Sequence, residues 1–169
     1  MKGIYLCSRK HRLPKYDLVY NDIIDYDGID IIGDCLTVDI NEYDFLIATP
    51  PCNYYSRANY RRDVSTVALS TKDILPNILE KFVRSGKPFI VENVCNYNLL
   101  PHLADVFEFT FGNHTFYTNV FFFVPDKSFS VKQNKANVCR NKRDGNYNVD
   151  FILNIFCNYV VNEVYELCI

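Results

Sequence analysis

Asp44-Phe45-Leu46-Ile47-Ala48-Thr49-Pro50-Pro51-Cys52-Asn53-Tyr54-Tyr55-Ser56 is the stretch from which the fold can be read. Its opening apolar run suits a strand buried on both faces, as in a parallel sheet covered by helices. The run passes into two prolines, which fix φ and stiffen the turn, and then into a cysteine. In an open α/β sheet the carboxyl edge of the strands is where ligands bind. A structural cysteine gains nothing from a stiffened turn, whereas a nucleophile gains a fixed aim. Cys52 is therefore a candidate nucleophile, the alternative being a small buried hydrophobe.

Working outward, Pro88-Phe89-Ile90-Val91 is a second near-continuous apolar run, and it leads into Glu92-Asn93-Val94. A Glu closing a buried strand is costly unless something pairs with it. Between the two runs a helix is announced. Ser70 or Thr71 can cap it, Asp73 and Pro76 suit its first turns, and Ile74, Leu75, Ile78, Leu79 and Phe82 recur at helical spacing up to Ser85-Gly86. That places the second strand beside the first after a right-handed crossover. Further strands are expected at residues 3–7, 17–20, 29–32 and 120–123. A C-terminal helix is expected to carry Ile152, Ile155, Phe156, Val160, Val164 and Leu167 on one broad face. Residues 126–148 are polar and read as a loop or small insertion. The pattern predicts one α/β domain over residues 1–169, with a mostly parallel sheet and flanking helices.

Composition narrows the function. The 169 residues carry a net charge of −2, which argues against a protein that grips long duplex DNA through many phosphates. Basic residues do gather locally, near the start, at Arg57, Arg61 and Arg62, and late in the chain. The seven cysteines form no Cys-x-x-Cys, and no signal peptide precedes them, so neither a zinc site nor a disulfide framework is expected. A reducing cytoplasm is the natural compartment. No apolar run approaches the roughly 20 residues a membrane span needs.

Pro51-Cys52-Asn53-Tyr54-Tyr55-Ser56 after one strand and Glu92-Asn93-Val94 after the next resemble the cytosine-carbon-5 DNA methyltransferases. That family carries Pro-Cys-Gln-x-x-Ser and Glu-Asn-Val in those places. The chain is most similar to the compact DNA methylases of bacteriophages. In those, a Gly-Asp, a buried strand, Ser-Pro-Pro-Cys, Glu-Asn-Val and a late Phe-x-Thr-Asn follow in order. Here Gly33-Asp34 and Phe116-Tyr117-Thr118-Asn119 supply the first and last, and Asn158-Tyr159-Val160 resembles the family's closing Gly-Asn-x-Val with Cys157 in place of Gly.

The resemblance implies a truncated Rossmann-like fold of the S-adenosylmethionine-dependent methyltransferase type. It implies that Cys52 adds to carbon-6 of a cytosine, that Glu92 hydrogen-bonds or protonates the base near N3, and that carbon-5 then takes a methyl group from S-adenosylmethionine. Asn93 completes the catalytic set. Asp22, Gly33, Asp34, Pro50 and Asn158 would hold the cofactor. Asn53, Ser56, Arg57, Arg61, Arg62 and His114 would face DNA, whose target base must be flipped or single-stranded. A homodimer, or a host or viral partner protein, could complete the site.

Two departures keep other readings open. The family's cofactor loop is Asp/Phe-x-Gly-x-Gly, yet Ile4-Tyr5-Leu6-Cys7-Ser8-Arg9-Lys10-His11 has no glycine, and residues 12–16 are too few for a crossover helix. The late motif reads Asn113-His114-Thr115-Phe116-Tyr117, where the family has arginines. Beside an active methyltransferase stand two alternatives. One is a degenerate relative of viral origin that binds DNA, a nucleotide or a host protein. The other is a thiol-addition enzyme with a different one-carbon donor, or none.

Overall fold

In the structure, a computed structural model, residues 1–56, 59–61, 63–94, 106–122 and 144–162 are described, with backbone only for 144–148. Arg57 and Arg62, most of the polar stretch 126–148, Phe123, and Val164 and Leu167 of the expected last helix lie outside the described residues.

Strands β1 (Gly3–Leu6), β2 (Leu18–Asp22), β3 (Ile31–Ile32), β4 (Phe45–Ala48) and β5 (Phe89–Val94) run parallel. With β6 (Phe107–Phe111) and β7 (His114–Thr118) they form a seven-stranded sheet in the order β3-β2-β1-β4-β5-β7-β6, in which β7 is antiparallel to both neighbours. The chain is thus α/β, with a mostly parallel sheet. The strand order turns around between β1 and β4, which both begin at the same sheet level, Gly3 opposite Phe45. Such a reversal opens a crevice at the carboxyl edge.

Strand parity sorts the core into two layers. Ile4, Leu6, Leu46, Ala48, Phe89 and Val91 face Leu75, Ile78, Leu79 and Phe82 of helix α2 (Ile74–Ser85), whose side chains are buried as their spacing predicts. Tyr5, Phe45, Ile47 and Ile90 face Ile152, Leu153, Phe156 and Val160 of helix α3 (Asp144–Asn162). Burying each such side chain contributes about 1.5–3 kcal/mol, so the strands that carry the site are its most firmly held part. Gly86 ends α2 with φ +66°, a left-handed cap that glycine adopts without strain. Gly3 is required for another reason: a Cβ there would collide with the Phe45 ring.

Three expectations need correction. Helix α2 takes Asp73 and not Ser70 or Thr71 as its N-cap, because Ser70 closes a separate short helix, α1 (Thr66–Leu69), whose N-cap Ser65 accepts from Ala68 N at 3.3 Å. Residues 120–122 are not a strand. Phe107, Phe109 and Phe111 alternate along β6 instead, and Gly112 at φ +62° turns the chain tightly into β7. After β7 the Thr118 hydroxyl receives Val120 N–H at 3.1 Å and bends the chain out of the sheet. Finally, residues 144–148 belong to α3 rather than to a loop.

Between β3 and α2 the Lys81 ammonium ties the layers together. It donates to the carbonyls of Cys35, Leu36 and Val38 at 3.3, 3.0 and 2.5 Å.

Candidate active site

At the carboxyl edge of the sheet the candidate site gathers residues from the turns that leave β1 and β4 and from β5. Strand β4 delivers the chain into Thr49-Pro50-Pro51-Cys52, and the turn beyond is closed by Ser56 N–H on Cys52 O at 2.8 Å. Asn59 Nδ2 donates to Asn53 O at 2.9 Å, drawing the following segment back onto the turn. Asn93, buried at the end of β5, donates from Nδ2 to Pro50 O at 3.1 Å, while its Oδ1 accepts Val94 N–H at 3.0 Å. Both ends of its amide are therefore engaged in joining the proline turn to β5. Asn93 is a positioning residue.

Glu92 lies inside β5 rather than at its end, and only 8% of it is exposed. Its partner comes from β7. Glu92 pairs across the strands with Phe116 and Val94 pairs with His114, so His114 is the diagonal neighbour on the same face as Glu92. His114 Nδ1 lies 2.6 Å from Glu92 Oε1. This contact was not legible from the sequence, which pointed His114 at the substrate. The only prior signal is parity, and parity needs the β5–β7 register to be known.

Cys52 is half-buried, and its thiol is pushed up from the ordinary value, first by burial and then by the charge of Glu92, with Arg9 opposing. The thiol thus feels the charge of the carboxylate, and Cys52 is held as the neutral thiol. Below them, Thr49 Oγ1 donates to Cys7 O at 2.9 Å and lies 3.4 Å from the buried Tyr5 hydroxyl, which burial keeps protonated.

The turn after β1 holds the feature that the sequence concealed. Cys7 and Arg9 both adopt left-handed backbone, at φ 54° and 50°. Glycine adopts this backbone without strain, yet neither position carries one. Ser8 between them is fully buried, its N–H on Asn21 O at 3.0 Å. Asp22, at the carboxyl end of β2, accepts Arg9 N–H at 2.9 Å and Ile24 N–H at 3.1 Å. β2 holds this left-handed loop in shape by these bonds. The Cys7 thiol also bonds that of Cys35, which raises the first and lowers the second.

These facts decide how S-adenosylmethionine would fit. At Gly33 a Cβ would meet nothing within 4 Å, so space is open beside the ends of β2 and β3, where Asp22 and the exposed Asp34 lie. Asp34 Oδ1 already accepts Leu36 N–H at 2.9 Å but remains accessible. Asp22 is buried and both its oxygens already accept backbone N–H groups, so Asp34 is the accessible acid there. At Cys7 and Arg9, side chains stand where glycine would let a ligand approach the backbone.

Asn158 is not brought to this site. It receives the Tyr16 hydroxyl at 2.8 Å, next to the start of β2, whereas Asp150 one end earlier on α3 meets His11 of the β1 turn at 2.9 Å. The rise of α3 separates the two contacts by about 12 Å, so Asn158 stands at the amino edge of the sheet, away from Cys52. Arg61 is exposed beyond the Cys52 turn.

No protein family, no characterised protein and no solved structure matches this chain. Geometry alone carries its function. Among the described residues no helix is long and apolar enough to cross a membrane.

Proposed function

We propose that this chain is a DNA (cytosine-5-)-methyltransferase-like protein, a truncated Rossmann-like domain whose Cys52 adds to carbon-6 of a cytosine. The supporting observation is the convergence of Cys52 and the His114-bound Glu92 at the carboxyl edges of adjacent parallel strands, stapled by Asn93. The order β3-β2-β1-β4-β5 agrees with that of dinucleotide-binding sheets.

In this reading the neutral thiol of Cys52 gives its proton to the Glu92 carboxylate as the S–C6 bond forms. The C5=C6 electron pair shifts into the ring, and Glu92 delivers the proton to N3, so the base stays neutral and carbon-5 becomes nucleophilic. His114 holds Glu92 towards the base. S-adenosylmethionine would supply the methyl group that carbon-5 takes. The steps assigned to the chain's own residues are the addition and its reversal.

While the adduct lasts, carbon-5 can take a proton from solvent and then lose its original one. Elimination of Cys52 restores the C5=C6 bond, so the carbon-5 hydrogen exchanges without any cofactor. A cytosine-containing oligonucleotide kept in heavy water with the protein is expected to gain deuterium at carbon-5, and the Cys52→Ala chain is expected to give none. Absence of exchange with folded protein and saturating DNA would sink this reading. A second reading, the catalytically degenerate relative that binds DNA, a nucleotide or a host protein, is favoured by Cys7 and Arg9 standing where the cofactor loop needs glycine.

A further inference from the structure

Beyond Cys52 the chain displays an aromatic side chain that the fold does not use. Tyr60 is 86% exposed, and the Arg61 guanidinium lies over its ring at 5.9 Å from the centroid. The same edge of the sheet carries two more cation–ring pairs, over a buried and a half-buried ring. Lys72 stands over Tyr54 at 5.5 Å, on the segment after β4, and Lys10 stands over Tyr26 at 5.7 Å, on the turns after β1 and β2. All three cations are exposed, and among the described residues none of them pairs with a carboxylate. The nucleophile's own turn is tied to the Tyr60 segment through Asn59 and Asn53.

We infer that this edge is a binding track for single-stranded DNA, with Tyr60 as a stacking platform and Arg61, Lys72 and Lys10 as phosphate contacts. The inference rests on the proposed cytosine chemistry and decides the form in which the base arrives. An exposed aromatic next to isolated cations is how proteins hold unpaired bases, because every base has a π-face and few charges are needed to follow one backbone. A duplex demands a broader basic surface, which a chain of net charge −2 does not offer. An unpaired cytosine also reaches Cys52 without the cost of leaving a stack.

The test is fluorescence anisotropy with a labelled single strand of about 12 nucleotides, the size range of such sites, its duplex, and an RNA of the same sequence. Using the Cys52→Ala chain keeps binding separate from addition. The single strand is expected to bind at least about ten-fold more tightly than the duplex. Tyr60→Ala is expected to weaken it about ten-fold and Tyr60→Phe to restore it, as stacking requires. Arg61→Gln should reduce the salt slope by about 0.7. Equal or tighter duplex binding, tighter RNA binding, or an unaffected Tyr60→Ala chain would overturn the inference. So would a self-associating parent that Tyr60→Ala makes monomeric, since the patch would then be a contact between copies. Single-strand binding in a parent that exchanges no carbon-5 hydrogen would sink the addition reading and leave the track standing.

Discussion

Two turns leave the carboxyl edge of the sheet, one after β1 and one after β4, and they reach their shapes by opposite means. Residues 49–56 are shaped by their own composition: two prolines restrict the backbone, and Asn93 pins the result to β5. Residues 7–10 are shaped against their composition. Cys7 and Arg9 adopt conformations that cost an L-residue about 1–2 kcal/mol each, and the bonds to Asn21 and Asp22 hold them there. A left-handed turn can therefore be held by its bonds to a neighbouring strand where glycine is absent. The Cys52 turn presents its thiol to the charge of Glu92, whereas the β1 turn carries side chains where glycine would leave the backbone bare.

The largest effect expected is at the β4 turn. Cys52→Ala should abolish carbon-5 exchange, at least a hundred-fold loss on the scale of removing a covalent nucleophile, with melting temperature barely altered. Glu92→Gln separates two roles by opposite signs. Exchange should slow by about a hundred-fold, the usual scale for losing a general acid. Alkylation of Cys52 by a neutral reagent at about pH 8 should become faster, because the removed charge is one that raises the thiol. In the parent chain, half-maximal alkylation is expected above pH 9.0, the ordinary thiol value. Faster alkylation of the parent than of its unfolded chain would show that the crevice activates the thiol.

Smaller effects lie in the two frames. Asn93→Ala leaves the Pro50 carbonyl without its donor and should lower stability by about 1–3 kcal/mol. The loss should be visible as an earlier urea midpoint and a slower exchange rate together. Cys7→Gly combined with Arg9→Gly relieves the left-handed strain but adds freedom to the unfolded chain, for a net gain on the order of 1 kcal/mol. The same pair clears the space for a methionine tail, and calorimetry should then detect tighter binding of S-adenosylmethionine than by the parent. A pair that lowers stability and leaves binding unchanged would mean that the two side chains are part of the site.

The sequence revealed β4, β5 and α2 because each is governed by local rules: continuous apolar runs, helical spacing, and a glycine at φ +66°. It also placed Cys52 just past the end of β4 and Glu92 on the neighbouring strand, although Glu92 proves to lie within β5 and not at its end. It missed the β6–β7 hairpin, although Phe107, Phe109 and Phe111 alternate, because the apolar run after it looked more strand-like. It could not show that Glu92 meets His114, since that contact depends on the register of two strands distant in the chain. Asn158 was drawn to the cofactor by the resemblance of Cys157-Asn158-Tyr159-Val160 to the family's closing motif, and the direction of α3 carries it to Tyr16, away from the Cys52 turn. Nor did letters without glycine announce a left-handed loop at Cys7 and Arg9.

Lys81 spends its three N–H groups on the carbonyls of Cys35, Leu36 and Val38. An amine held this way is shielded from acylating reagents for as long as the segment after β3 stays clasped to α2. Its modification rate, set against that of an exposed lysine such as Lys72, is therefore a clock for local opening. A nucleoside ligand seated beside Gly33 and Asp34 would slow that clock, giving a readout of occupancy that does not depend on any reaction at Cys52.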